Sequence, residues 1–326
     1  AFVIDALFKG ASFCRWVCPI GQFHFVESMI SPREVRIKDR HVCRSCTTRD
    51  CIKGGPGGRG CELDLFLPSK RSNMDCTFCM DCVRACPHDN IGVMSRPLHA
   101  DVVRTGWRGA IGRFASRTDI AALAVILTFG AFANALGMVG PVLDWEDQFS
   151  LQFKLGTPVV PATIVLLAVT VFAPLVCLPT IGVAAKLISK STHTVVAIAC
   201  RLAIAMIPMG FAMWLVHMLF HFLTAMGTIV PVGQRLANDI GLPLGEPIWA
   251  MACCLAIPDW LIPLELILLD GGLILTAICV HRLAQTAGAR RTILTSTILC
   301  LPSVMLWALG VWIVLQPMQM RGTILP

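Results

Sequence analysis

Residues 209–222 read MGFAMWLVHMLFHF. Apart from two imidazoles, the stretch is as apolar as a bilayer-spanning helix requires. His217 and His221 stand four residues apart, one helical turn from each other. Ionisable side chains in lipid are costly and rare, and they usually mark a function.

The rest of the chain carries the same character. Of 326 residues, 56% are hydrophobic and 14% charged, with a mean hydropathy of +0.71. That excludes an ordinary soluble domain and predicts a polytopic α-helical membrane protein. Five apolar runs reach the ~20 residues needed to cross a bilayer core. They lie near 119–140, 158–182, 194–226, 261–286 and 294–316. Pro208 predicts a kink in the third. The apolar opening AFVIDALF reads either as the tail of a helix that begins upstream or as a short interfacial segment.

Charge orients these runs. The net charge of +7 falls entirely within residues 1–118. Lys186 and Lys190 mark one connecting loop, and Arg282, Arg290 and Arg291 mark another. The loops between are acidic, with Asp144, Glu146 and Asp147 against Lys154, and Asp239, Glu246 and Asp259 against Arg235. The positive-inside rule then places residues 1–118 in the cytoplasm, at the inner membrane, and the C-terminus outside. Trp145, Trp260 and Trp312 are expected near the outer interface and Trp107 near the inner one.

Ten of the sixteen cysteines precede residue 87. In CTFCMDCVRACP, Cys76, Cys79, Cys82 and Cys86 have the C-x2-C-x2-C-x3-C-P spacing of bacterial ferredoxins, whose fourth cysteine ligates the other of two clusters. A zinc ribbon has no use for a third cysteine two residues on. A disulfide framework is disfavoured in the cytoplasm. CRSCTTRDC adds Cys43, Cys46 and Cys51, and Cys61 follows the glycine-rich segment KGGPGGRG, which reads as a flexible loop. Crossing the fourth ligands gives Cys43, Cys46, Cys51 and Cys86 as one set, and Cys61, Cys76, Cys79 and Cys82 as the other. The chain thus divides into a ferredoxin-like iron–sulfur domain over 1–118 and a helical bundle over 119–326. Cys14 and Cys18, in FCRWVCPIGQ, would share a face of a helical turn before Pro19. They read equally as a redox thiol pair, as ligands shared with another chain, or as reduced structural thiols.

FCRWVCPIGQ followed by the ferredoxin cysteines and an apolar region resembles the membrane-bound polyferredoxin family. That family includes the quinol-dehydrogenase subunit of periplasmic nitrate reductase, the nitrous-oxide reductase regulatory membrane protein and the cytochrome oxidase assembly ferredoxin. The resemblance covers roughly residues 12–95. It implies two [4Fe–4S] clusters, cytoplasmic in most members, that exchange electrons with a quinone pool or a periplasmic partner. It carries over to Cys14, Cys18 and the eight later cysteines. Family members usually place membrane helices before the C-x3-C-P element, whereas here five runs follow it.

In helical projection Met206, Met209, Met213, His217 and His221 form one stripe. Glu265 and Asp270, on the returning fourth run, lie at depths similar to His221 and His217. The four ionisable residues are therefore expected to form one site. His281 and Arg201 sit too near the inner face to join it. A quinol site ranks first, with histidine accepting a hydroxyl proton and carboxylate relaying it. Haem b ranks second, and two histidines on one helix face cannot hold both sides of one haem. Copper on the methionine–histidine stripe ranks third, and the methionines alone read as packing. From residue 194 to His217 is roughly 35 Å at ~1.5 Å per residue, too far for one electron hop. A haem, a mobile quinone or a partner subunit is then needed to link the site to the cysteines.

The sequence thus predicts a membrane iron–sulfur electron-transfer protein, a quinol-dehydrogenase-like subunit of an oxidoreductase with redox partner subunits and no nucleic-acid role. The alternative is an assembly factor supplying electrons or copper to a metalloenzyme. A membrane redox sensor is the third possibility.

Overall fold

A computed structural model describes residues 2–8, 11–70, 72–74, 76–103, 113–242, 244–249 and 258–318. Trp107 lies outside them. The protein is predominantly helical, and five of its helical segments are long and apolar enough to cross a membrane. They run Thr118–Leu136, Val159–Ser189, Val195–Asp239, Leu261–Thr286 and Thr292–Val314. It is a multi-pass membrane protein.

The N-terminal region opens with three short helices, α1 (Phe2–Leu7), α2 (Ser12–Trp16) and α3 (Pro19–Glu27). Strand β1 (Arg33–Ile37) then pairs antiparallel with β2 (Ile91–Ser95), Arg33 opposite Ser95 and Ile37 opposite Ile91. Alternation turns Val35 and Ile37 inward and leaves Arg36 exposed. Between the strands lie three short helices, α4 (Arg40–Ser45), α5 (Asp50–Lys53) and α6 (Asp81–Ala85). Two strands alone are marginal in water and need a packed face. Val35, Ile37, Leu67, Cys82 and Ile91 supply it, with Cys43, Cys51, Cys76 and Cys86 packed against them. A single pair of strands does not by itself make the ferredoxin-like fold expected here. Arg96 closes this region. Its guanidinium is 4% exposed, ion-pairs with Asp101 at 2.8 Å, and donates to the carbonyls of Ser28, Met29 and Ser31.

The first membrane span is α7 (Thr118–Leu136). The expected loop after it instead contains α8 (Gly140–Gln152), which begins with Pro141 in its first turn, where the missing N–H is harmless. Mixed acidic and apolar residues hide this helix from hydropathy alone. The second span comprises α9 (Val159–Leu167), a π-helical segment over Ala168–Phe172, and α10 (Ala173–Ser189). Pro174 has no N–H to give the carbonyl of Thr170, which accounts for the loosened turn.

The third span breaks as Pro208 predicts. Helix α11 (Val195–Ala205) ends one residue before α12 (Ile207–Ala225) begins, because Pro208 cannot donate to Ile204. After a short 3-10 turn the chain forms α13 (Ile229–Asp239), which lies in a stretch the sequence reading assigned to a loop. Its exposed Ile229, Val232 and Leu236 share one face. Helices α14 (Leu261–Thr286) and α15 (Thr292–Val314) complete the bundle. Trp145, Trp260 and Trp312 are exposed.

The chain forms two compact units. One comprises residues 1–127, 173–208 and 275–302, and the other residues 128–172, 209–274 and 303–326. Small residues set helix spacing in each. In the first, a Cβ on Gly182 would stand 3.2 Å from Val195 Cγ1. In the second, a Cβ on Gly210 would stand 2.6 Å from Thr128 Cα, so α12 and α7 pack there almost backbone to backbone.

Candidate functional site

The eight cysteines from Cys43 to Cys86 gather into two groups. Burial pushes the Cys51 thiol up, and Cys86, Cys43 and Cys46 add to it in that order. Burial pushes Cys82 up to about 12, with Cys61, Cys76 and Cys79 adding most and Cys51 least. Cys76 is likewise raised by burial, with Cys61 and Cys79 contributing and Lys70 opposing. Each of these neighbourhoods includes a cysteine from the other sequence motif. Cys43, Cys46, Cys51 and Cys86 also line a common cavity with His88, Asn90 and Ile91.

Asn90 was not singled out by the sequence, yet it organises the first group. It is 5% exposed. Its Nδ2 donates to Asp39 O at 2.7 Å and to Cys43 Sγ at 3.2 Å, and its backbone N–H donates to Cys86 Sγ at 3.4 Å. Asp39 N–H donates back to Asn90 Oδ1 at 2.9 Å. One residue therefore anchors two sulfurs that are 43 positions apart in sequence. Cys46 is held differently. Hydrogen bonds from Arg49 and Thr48 are the leading causes that lower its thiol to about 7. Arg49 adopts a left-handed backbone (φ 55°) to present that donor. Lys70 reaches the second group from a half-buried position, where its Nζ donates to Val35 O and Asn73 Oδ1.

The glycine-rich segment forms a tight turn. Gly55 and Gly58 exchange backbone hydrogen bonds of 3.0 and 3.1 Å. A Cβ on Gly60 would lie 2.0 Å from Ile52 O, and one on Gly57 would lie 2.7 Å from Arg84 O. Glycine is needed for backbone-to-backbone contact, which positions Cys61: its N–H donates to Cys51 O at 2.9 Å.

Among the described residues, no three Cys, His, Asp or Glu side chains converge on a point that could hold a single metal ion. Cys14 and Cys18 do not share a helical turn. Helix α2 ends at Trp16, and Cys18 is the extended residue that caps α3 before Pro19.

In the second unit, His217 and His221 meet. Their Nε2 atoms are 3.1 Å apart, with the rings edge to face. Asn134 Nδ2 lies 3.2 Å from the same His217 Nε2. The contact of Gly210 with Thr128 explains this geometry. Asn134 is six residues beyond Thr128 and His217 seven beyond Gly210, about 10 Å along two helices running the same way. His217 is 3% exposed, and its Nδ1 has no hydrogen-bond partner. Met209 and Met213, on the same stripe, are fully buried, as packing residues are.

The two carboxylates have other surroundings than hydrogen bonds to this pair. Glu265 is 3% exposed, and its Oε1 has no hydrogen-bond partner. Asp270 Oδ1 accepts from Trp307 Nε1 at 2.8 Å. Neither is hydrogen-bonded to either histidine. In the first unit, His281 has both ring nitrogens engaged, Nδ1 with Ser296 Oγ at 3.2 Å and Nε2 with Gln285 Nε2 at 2.9 Å.

A stretch of 85 residues of this chain is 32% identical to "Putative electron transport protein YccM" of Escherichia coli (strain K12). The match covers 26% of this chain and 22% of that protein. No protein-family model matches the chain. No solved structure matches it.

Proposed function

We propose that this protein is a membrane-bound electron-transfer protein that holds two [4Fe–4S] clusters in residues 1–118 and exchanges electrons with a quinone pool within a larger redox complex. What supports this reading is that Cys51 lies under the influence of Cys86, Cys43 and Cys46, and Cys82 chiefly under that of Cys61, Cys76 and Cys79, as crossed ligand sets would require. The crossing is the ligand logic of two-cluster ferredoxins. The local identity to an electron transport protein points the same way. Cys43, Cys46, Cys51 and Cys86 would hold one cluster, and Cys61, Cys76, Cys79 and Cys82 the other. When bound, each cluster supplies a one-electron store. The chain's own residues tune it: the N–H groups of Asn90 stabilise negative charge on Cys43 and Cys86, favouring the reduced state. The basic excess of residues 1–118 supports a cytoplasmic side for this domain.

His217, His221 and Asn134 form the proton-handling element of the membrane region. A neutral imidazole accepts a proton at one nitrogen and releases one from the other, so the pair can pass a proton without net burial of charge. A haem b, a mobile quinone or a partner subunit would connect this element to the clusters.

Metal analysis of purified protein tests the central claim. About eight iron and eight acid-labile sulfide per chain are expected from two cubane clusters. Clearly less iron, or zinc in its place, would overturn the reading. Intact clusters together with loss of copper from a partner metalloenzyme would favour assembly instead.

A further inference from the structure

The first unit has a pocket of about 50 Å³ where the ends of four helices meet. Ala185 of α10, Arg201 of α11, Ala284 of α14 and Thr295 of α15 line it, with Ser191 and His193 from the connection between α10 and α11. The two alanines leave the room that larger side chains would fill. A buried water needs about 10–15 Å³, so the space suits one group of roughly five heavy atoms, not a ring system.

The charge around it has one sign. Residues 173–208 and 275–302 build this part of the unit and contain six Lys and Arg but no Asp or Glu. Asp119, in the first turn of α7, is already paired with Arg117 at 2.6 Å. Arg201 is half-buried and has no ion pair or hydrogen bond among the described residues. A guanidinium taken partly out of water without a counter-charge is costly. Its planar fork of donors matches the oxygens of a phosphate. Burial pushes the His193 imidazole down and Arg201 pushes it further, so the charge of Arg201 is felt at this end of the pocket.

The hydroxyls supply an independent sign. Thr295 is 4% exposed, lines the pocket, and its Oγ1 has no hydrogen-bond partner. Its neighbours Ser296 and Thr297 donate to the carbonyls four residues back, at 2.7 and 3.1 Å. Thr295 does not, which leaves its hydrogen for another acceptor. Ser191 Oγ accepts from His193 N–H at 3.2 Å and keeps its own hydrogen to give. A guanidinium and two hydroxyls thus border a space that offers them no acceptor.

We propose that this pocket seats a phosphate group, carried by an anionic phospholipid of the surrounding membrane, with Arg201, Thr295 and Ser191 as its donors. Basic pockets between membrane helices bind anionic head groups in this way. The chemistry is that of any phosphate anion, and the surroundings favour a lipid as its source. Leu187 and Ile293, on two of the helices that form the pocket, are apolar and largely exposed, which gives acyl chains a track. Lys190, Arg290 and Arg291 in the adjoining loops add attraction. The site depends neither on the clusters nor on a quinone.

The test uses the purified full chain in neutral detergent, with phosphatidylglycerol as probe and native mass spectrometry as readout. Wild type should retain one phosphatidylglycerol, at least about tenfold in preference to phosphatidylcholine. Arg201→Gln should weaken that binding at least about tenfold, through loss of a charged two-pronged contact. Thr295→Val keeps the shape and should weaken it about fivefold. Arg282→Gln removes the same charge from an exposed residue outside the pocket and should bind as wild type. Thermal unfolding decides if R201Q does not purify. Without lipid, T295V should unfold no earlier than wild type, because it removes a buried hydroxyl that has no partner. Added phosphatidylglycerol should then stabilise it less than wild type. Equal affinity in wild type, R201Q and T295V would overturn the site. An equal loss in R282Q would reduce the effect to net charge and overturn it too. Inorganic phosphate that stabilises wild type as well as the lipid does, and fails to do so in R201Q, would overturn the lipid as the source.

Discussion

The Nε2 atoms of His217 and His221 lie 3.1 Å apart, and Asn134 Nδ2 approaches the same His217 Nε2 at 3.2 Å. An imidazole nitrogen has either one lone pair or one hydrogen. His217 Nε2 therefore cannot make both contacts at full strength.

Replacing His217 by alanine breaks this arrangement at its centre. Quinol-driven reduction of the clusters should fall about a hundredfold, the usual scale for a lost proton-transfer group. Iron content should stay constant. His221→Phe should have a smaller effect, because Asn134 still meets His217. Stopped-flow absorbance of the clusters measures both. Unchanged rates in His217→Ala would remove the histidine pair from the reaction.

Asn90→Ala removes the side-chain hydrogen bonds to Asp39 and Cys43 while keeping the backbone bond to Cys86. Losing a buried polar network of this size costs about 1–3 kcal/mol. The cluster of the Cys43 group should become harder to reduce and that of the Cys82 group should not change. An EPR redox titration separates the two. Equal shifts in both clusters would contradict the assignment of Asn90 to one group.

Gly60→Ala forces a methyl group against Ile52 O, where backbone cannot yield cheaply. The substitution should cost about 1–3 kcal/mol and loosen Cys61, with loss of iron from the Cys82 group. Gly92→Ala, with only a lysine side chain nearby, is the control. Equal iron content in both variants would show that the turn does not position Cys61.

Burial raises the Glu27 carboxyl from 4.5 to about 7. His24, at 3.8 Å, is 69% exposed and offsets little. Between these two pH values the unfolded chain has released its proton while the folded chain retains it. Stability should therefore fall as pH rises from about 4.5 to about 7 and level off above, by roughly 3 kcal/mol at most. Glu27→Gln should flatten the dependence of thermal unfolding on pH over that window. A dependence identical in the variant would place its origin elsewhere.

The five spans were legible because bilayer thickness imposes a length on apolar runs. The break before Pro208 was legible because a missing N–H acts locally. Helices α8 and α13 were not legible. Helix α13 is an amphipathic stretch whose two faces hydropathy averages away, and α8 mixes acidic and apolar residues. The π-helical segment at Ala168–Phe172 also went unread, since Pro174 could have been accommodated by a kink.

The grouping of cysteines could be proposed from spacing, because short gaps in a turn leave few choices. Asn90 and Asn134 carried no comparable signal. Asparagine is common in turns and at helix ends.

Sequence by itself determined what local chemistry dictates: the membrane spans, the charge asymmetry and the spacing of thiols. Tertiary structure alone decided which polar groups meet. Asn134 and His217 are 83 residues apart and touch only because Gly210 lets α12 lie against Thr128. Glu265 and Asp270 matched the histidines in depth, but depth leaves the direction around a helix axis unspecified. Only packing sets that rotation.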